Sequence, residues 1–296
     1  MQIGIAGTGK MGSAIAKRLL ATGHPVVAWN RTRERAQPVL DAGAAWAETP
    51  AALASEADLV ITMVSDDAAL EAVHFGPDGL LAGRVDGRLF IDMSTVAPDT
   101  QRSVGRRVLA AGARYLECPV GGSVGPASQG KLLGFAGGDA QDVERARPVL
   151  EQLCRRLEHV GGFGAGATMK LAINLPLLVY WQTLSEALSL LQPLGLDPAR
   201  VVDILADTSG GPNMLKVRGP MIAQALAGRA TGEVTVDVAT MRKDVRAMLA
   251  QADATRYRLP LTSQLLQTLE QAGRAGLDGA DCTQVPVWWL AAAGKA

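Results

Sequence analysis

Cysteine is scarce in this sequence. Cys118, Cys154 and Cys282 are the only three in 296 residues, and they lie far apart, with neither a metal-ligand spacing nor an even disulfide framework. That usage fits a reducing compartment. The start, MQIGIAGTGKMG, has no basic stretch ahead of an apolar run, so a secretory leader is not expected and the cytoplasm is the expected location. Histidine is equally scarce: His24, His74 and His159 are scattered, and no metal site is expected. An excess of charge is missing too, because 29 basic residues stand against 29 acidic ones. That balance leaves no electrostatic footprint for nucleic acid. Uninterrupted apolar runs of membrane-spanning length are also missing. Residues 171–191 come nearest, but Asn174, Pro176, Gln182, Ser185, Glu186 and Ser189 interrupt them, so a buried helix is expected and no membrane partner. Internal repeats at solenoid periods are not evident.

What is present is a long, largely apolar chain, 48% hydrophobic and 20% charged, with room for two domains. From Gln2 to about Val160, short apolar runs (QIGIA, PVVAW, LVITMV, RLFIDM, ARYLEC, KLLGFAGG) alternate with helical patterns. That alternation predicts an α/β fold with a doubly wound parallel sheet of Rossmann type. After Gly161 the strand-like runs nearly vanish and helical periods continue to the end. The glycine cluster GGFGAG at 161–166 precedes a long apolar helix starting near Ala167 and predicts a hinge. The expected domains are therefore 1–162, binding a dinucleotide, and 163–296, all helical and opening with the long interdomain helix.

The segment Gly7-Thr8-Gly9-Lys10-Met11-Gly12 fits GxGxxG directly after an apolar strand and opens the helical pattern SAIAKRLLATG. Gly7 permits the tight turn. Gly9 lets backbone approach a pyrophosphate, Gly12 lets helix pack against strand, and the helix N-terminus offers N–H groups and a positive dipole. At the end of the second strand an NAD site usually carries an acidic residue for the ribose hydroxyl, whereas this chain has Asn30-Arg31-Thr32. Arg31 offers a guanidinium fork to a 2′-phosphate, and Asn30 and Thr32 do not repel one. NADPH is therefore the expected cofactor, in preference to NADH.

Further segments carry a family resemblance: DMSTVAPDT at 92–100, CPVGGSVGPASQGKL at 118–132, GAGATMKLAINL at 164–175 and MRKDVRAML at 241–249. Together with GTGKMG they make the chain resemble the β-hydroxyacid dehydrogenases, which are 3-hydroxyisobutyrate dehydrogenase-like and 6-phosphogluconate dehydrogenase-like. The runs ITMVSDDAAL and GGPNMLKVRGPM are similar to the glyoxylate and succinic semialdehyde reductase branch. The resemblance implies an oxidoreductase that moves hydride between NADP(H) and a small aldehyde or β-hydroxyacid, and that assembles as a homodimer or higher oligomer. It implies that Lys170 protonates the carbonyl oxygen while Asn174, four residues on and on the same helical face, orients substrate or lysine. It implies cofactor contacts from Met63, Val64, Ser65, Thr95 and Lys243, and substrate contacts from Ser94, Thr95, Gly121, Gly122 and Ser123.

The chemistry is consistent with this assignment, since reducing an aldehyde needs a proton delivered to the oxygen that becomes an alkoxide. Lys170 sits in the first turns of the apolar helix, where an ammonium is costly to bury without a cleft or partner. Ser94 and Thr95 follow a strand at the carboxyl end of a sheet, where ligands of open α/β folds collect. One departure stands out: family members usually carry Ser where this chain has Gly121, so the anchor for the substrate is expected to rely on the N–H groups of Gly121, Gly122 and Ser123. Tyr180, Trp181, Met214 and Gly210 to Asn213 are candidate pocket-wall residues. The Trp288-Trp289 pair suits an interface, an intersubunit lid or a core. Two other readings are an imine reductase on the same scaffold and a non-catalytic dinucleotide-binding scaffold. The retained DMSTV segment and Lys170 argue against the first, and Lys170 with Asn174 against the second.

Overall fold

The computed structural model describes residues 1–293. The chain divides into two compact units, Met1–Leu171 and residues 172 onward, and each is described by itself. In the first unit nine strands form one sheet: β1 (Ile3–Ala6), β2 (Val26–Trp29), β3 (Ala45–Trp46), β4 (Leu59–Thr62), β5 (Leu89–Asp92), β6 (Arg114–Glu117), β7 (Val120–Gly121), β8 (Leu132–Gly138) and β9 (Cys154–Gly161). Their order is β3-β2-β1-β4-β5-β6-β8-β7, with β9 beside β8. From β3 to β6 all pairs are parallel, and the crossovers are α1 (Lys10–Ala21), α2 (Gln37–Leu40), α3 (Pro50–Glu56), α4 (Asp67–Phe75) and α5 (Pro98–Ala110). The strands β1, β4 and β5 are buried at every residue, as a sheet covered on both faces requires.

Side-chain alternation divides the core between those faces. Ile3, Ile5, Leu59, Ile61, Leu89 and Ile91 point into one cluster with α1, and Val27, Val60 and Phe90 point into the other with Leu53 and Leu70. Gly4 lets α3 close on β1, since a Cβ there would stand 3.0 Å from that of Ala57. The parallel sheet expected from the apolar runs is present, with a reversal at its far end. There β8 runs antiparallel to β6 and β7, and β9 parallel to β8. The strand pattern in the sequence did not reveal β9, CRRLEHVG, because an edge strand buries little and shows no apolar run.

Between β7 and the second unit lie α6 (Val124–Ser128), α7 (Ala140–Leu153) and the start of α8 (Ala165–Leu191). The first compact unit runs to Leu171, inside α8 and past the glycine cluster. The start of α8 is tied to the sheet, where Glu117 of β6 accepts the N–H groups of Gly164, Gly166 and Ala167. The second unit continues with α9 (Pro198–Ala206), α10 (Asn213–Leu226), α11 (Val238–Ala254), α12 (Pro260–Ala272) and α13 (Gln284–Trp288). Trp181, Leu184 and Leu188 of α8, with Ile222, Met241, Val245 and Leu269, are buried there. Trp289 donates its indole N–H to Ser189 Oγ at 3.1 Å. No helix among the described residues is long and apolar enough to cross a membrane.

One core residue has a consequence for stability. His74 of α4 is fully buried beside Phe75, Phe90 and Tyr115. Its Nδ1 lies 3.0 Å from the Leu70 carbonyl oxygen, while Nε2 has no partner among the described residues. Burial pushes its pKa down from 6.5 to about 4. The neutral ring is therefore at home above pH 6.5, and stability drains as pH falls from 6.5 towards 4, by up to about 3 kcal/mol. His74→Leu should lose less stability than the wild type in urea titrations between pH 7 and 4.5. Equal losses would place the acid sensitivity elsewhere.

Candidate active site

The turn after β1 is shaped by steric necessity. Gly7 has φ +104°, and a Cβ there would run into the Met63 carbonyl. A Cβ on Gly12 would overlap the Gly7 carbonyl oxygen. Gly9, by contrast, occupies the N-cap of α1 with no side-chain cap, and a Cβ on it would meet nothing within 4 Å. The first N–H groups of α1 thus face open space at the positive end of the helix dipole. Thr8 is buried and its Oγ1 has no partner among the described residues. Its N–H is held at 3.0 Å by Asn30 Oδ1, whose amide in turn donates to the Thr32 carbonyl at 2.8 Å. Ser13 Oγ donates to the Thr8 carbonyl at 2.8 Å. An uncapped helix start, open room at Gly9 and an orphaned hydroxyl fit a dinucleotide pyrophosphate. Lys10 and Met11 open the helix beside it.

Asn30 therefore acts as a brace between the glycine loop and the end of β2. Arg31 and Thr32 are exposed beyond it. Arg33 is held elsewhere, 3.3 Å from Glu48 and 5.0 Å over the Trp46 ring. Arg31 is accordingly the arginine at the strand end, in the place of the missing acidic residue.

Neighbouring strand ends are stitched laterally: Met63 N–H to the Ala6 carbonyl at 2.9 Å, Met93 N–H to Thr62 at 2.9 Å, and Cys118 N–H to Asp92 at 2.6 Å. Beneath these loops lies a polar network that sequence reasoning did not single out. Asp92, fully buried at the end of β5, accepts from Thr62 Oγ1 and Ser94 Oγ, each at 2.7 Å, and from Gln101 Nε2. Tyr115 donates to Gln101 Oε1 at 2.6 Å. Burial raises the Asp92 pKa against those hydrogen bonds. The only advance signal was an aspartate closing an apolar strand. Ser94 is fully buried, and its oxygen also accepts the Val64 N–H at 2.9 Å. Its hydroxyl is thus engaged inside the protein, holding the Met63-Val64-Ser65 turn. Thr95, the next residue, is half-buried.

At the end of β6, Glu117 accepts the N–H of Gly164 at 2.6 Å and of Gly166 at 3.0 Å on Oε1, and of Ala167 at 3.2 Å on Oε2. Burial pushes its pKa up to about 7. Beyond it, Gly121 is a buried ladder residue opposite Leu133. Gly122, at φ +126°, and Ser123 are exposed at the start of α6. A Cβ on Gly166 would lie 3.2 Å from Pro119 Cδ and would run into the Phe135 carbonyl, so this face of α8 is pressed onto the residues that precede Val120 and Gly121. Lys170 lies one turn further along that face and is 8% exposed. The glycine loop, the 63–65 turn, Ser94-Thr95, Gly121 to Ser123 and Lys170 all belong to the first unit. Asn174 is half-buried one turn beyond Lys170 in α8. Lys243 stands on α11 with its Nζ 3.1 Å from Asp244. Of the candidate wall residues, Trp181 is core, whereas Tyr180 and Met214 are half-buried.

A family model described as the NAD binding domain of 6-phosphogluconate dehydrogenase matches residues 2–161. A second, described as the NAD-binding of NADP-dependent 3-hydroxyisobutyrate dehydrogenase, matches residues 164–288. The chain is 37% identical over 265 residues to a 3-hydroxyisobutyrate dehydrogenase of Pseudomonas aeruginosa, covering 88% of each. This chain belongs to the β-hydroxyacid dehydrogenase family. A second relative is the glyoxylate/succinic semialdehyde reductase 1 of Arabidopsis thaliana, 31% identical over 285 residues, 96% of this chain and 97% of that one. Among solved structures, Psf3 in complex with NADP+ and 2-OPP superposes with a TM-score of 0.85 at 29% identity, over 96% of this chain and 99% of that one. Residues 2–161 are thus an NAD(P)-binding domain, and the glycine loop with the strand ends beside it forms the candidate site.

Proposed function

We propose that the chain is an NADP-dependent oxidoreductase that reduces the carbonyl of a small aldehyde, such as glyoxylate or succinic semialdehyde, or oxidises the matching hydroxyacid. The observation that carries this reading is Lys170, a buried ammonium in the second turn of a helix whose same face is seated on Pro119. A buried cation with a deliverable proton suits a general acid for carbonyl reduction. The bound cofactor supplies hydride. Lys170 gives its proton to the carbonyl oxygen, and takes it back when the alcohol is oxidised. Asn174, one turn on, orients the lysine or the substrate. Thr95 and the backbone N–H groups of Gly122 and Ser123 hold the substrate's polar end, with Gly121 shaping the turn. Ser94 serves by bracing Val64, and Lys243 keeps the cofactor-side role the resemblance implies.

The cofactor's 2′-phosphate is assigned to Arg31, which leaves the end of β2 without an acidic neighbour at 30 or 32. The NADP+ complex of the similar Psf3 supports that assignment. With glyoxylate or succinic semialdehyde as substrate, kcat/KM with NADPH should exceed that with NADH at least about tenfold, and Arg31→Ala should erase most of the ratio through NADPH alone, about 1–2 kcal/mol for one charged hydrogen bond. An NADH preference in the wild type would refute it. A second copy of this chain is the partner that the exposed apolar side chains Leu190, Leu194 and Ile204 of the helical unit suit best.

A further inference from the structure

A helix leaves its first N–H groups without intrahelical partners, and a neighbouring Ser, Thr or Asp usually accepts one of them. The start of α8 is capped differently. The acceptor is Glu117, 47 to 50 residues earlier in the chain, and it takes three N–H groups instead of one. A cap borrowed from the sheet ties the helix to the sheet as well as ending it. Two glycines make the approach possible: Gly164 has φ +91°, with Arg102 close beside it, and Gly166 has no side chain to hold the helix away from the Glu117 carboxyl. Lys170 is one helical turn past Gly166, so any rotation or slip of this turn re-aims it.

We propose that Glu117 is the positioning residue for Lys170: by gripping the N–H groups of Gly164, Gly166 and Ala167, its carboxylate fixes the start of α8 and so the direction in which Lys170 leaves the helix. The inference rests on the reading of Lys170 as the proton donor. Glu117 touches neither substrate nor cofactor in this role. It acts through the helix.

The grip changes with ionisation: the carboxylate accepts fully on both oxygens, whereas in the acid Oε1 as the carbonyl oxygen keeps the Gly164 and Gly166 N–H groups and a protonated Oε2 accepts that of Ala167 only weakly. Burial holds this carboxyl near 7, Asp92 of β5 pushes it further up, and the three N–H groups pull it down. The other groups around it come from several elements. Tyr115 and Cys118 flank it on its own strand, and burial raises both of their pKa values, with the Glu117 charge adding to the effect. Gly137 of β8 lies opposite and does not titrate. The α5 helix contributes neutral Gln101 and, beside Gly164, Arg102, which pairs with Asp99. Lys170 is the first cation of α8. A folded pKa above the ordinary carboxylate value means that the stability this residue contributes is full below about 4.5 and is lost as pH rises to about 7. Ionised Glu117 therefore costs the fold, and stability alone does not account for a carboxylate at this position.

The test uses the full chain, Glu117→Gln, Glu117→Asp and Lys170→Met. In hydrogen exchange corrected for intrinsic rates, the wild-type segment 160–171 should gain protection as pH falls from 8 to 6, because the closed state binds the Glu117 proton more tightly than an opened one, and Glu117→Gln should show no such step. With glyoxylate and NADPH at pH 8, Glu117→Gln should lower kcat at least about tenfold while the NADPH Kd stays within about twofold. Its kcat should lack the wild-type decline below about pH 7, and Glu117→Asp, which keeps the charge, should recover part of kcat and restore the decline. Unchanged wild-type protection between pH 8 and 6, or a Glu117→Gln enzyme with wild-type kcat and pH profile, overturns the proposal. If Glu117→Gln does not fold, the wild-type exchange experiment together with Glu117→Asp decides. A Lys170→Met enzyme that still turns over defeats the reading of Lys170 and leaves the exchange result to stand or fall separately.

Discussion

Lys170→Met should lower kcat for aldehyde reduction by about a thousandfold, within the range typical of a positioned general acid, while leaving the NADPH Kd within about twofold. The side chain is nearly as long as lysine and fills the same buried space, so packing at this turn of α8 is preserved. The deleted group is an amine on a residue that is 8% exposed. A melting curve of the variant beside the wild type reads any effect on the fold separately from the effect on turnover. Loss of turnover without loss of stability or cofactor affinity separates proton delivery from a structural role. Single-turnover measurement of NADPH oxidation checks this directly, since it reads the chemical step without product release. A near wild-type rate would remove Lys170 from the mechanism and with it the strongest argument for an aldehyde reductase over a dinucleotide-binding scaffold.

The second large effect is a contrast between two glycines, Gly9 and Gly12, three residues apart but opposite in kind. Gly12→Ala places a methyl where the Gly7 carbonyl oxygen already is, so α1 must move off β1. The cost is about 3 kcal/mol of stability, or roughly 10 °C in melting temperature for a unit of this size. Gly9→Ala meets nothing within 4 Å and sits at φ −63°, ψ −174°, backbone that alanine adopts freely. Its melting temperature without cofactor should match the wild type. The methyl instead fills the room assigned to the pyrophosphate, and NADP affinity should fall by about 10- to 100-fold, the equivalent of about 1–3 kcal/mol of overpacking. Calorimetric titration with NADP beside thermal melts of both variants makes the comparison. A Gly9→Ala protein that binds NADP as tightly as the wild type would move the pyrophosphate away from this loop.

Much of the site was legible in the chain because its chemistry is written in contiguous segments. A GxGxxG loop needs no partner from elsewhere to be recognised, since glycine is demanded by the turn itself. Arg31 was readable for a similar reason: the residue closing the second strand of such a unit has a fixed place relative to the loop. Lys170 stood out as a charge in an apolar helix. What escaped notice are the contacts set by lateral neighbours in the sheet. Asp92 looked like the end of a strand, yet it gathers Thr62, Ser94 and Gln101 from three segments. Asn30, expected to contact the cofactor, also braces the glycine loop against β2. Ser94, expected to contact the substrate, also ties Asp92 to Val64.

The sequence by itself determined the architecture of each half and the shape of the glycine loop, because strand burial, helical period and turn glycines are local demands that neighbouring residues must meet. Only the tertiary structure decided how the start of α8, one turn before Lys170, is held. Glu117 and the start of α8 are 47 to 50 residues apart, and nothing in either segment announces the other. Their meeting follows from strand order, which places the end of β6 beneath the first turn of the helix, and from two glycines that let backbone and carboxylate come within hydrogen-bonding distance. Hydrogen bonds of this kind depend on position to a few tenths of an ångström, a precision that chain pattern does not encode and packing does.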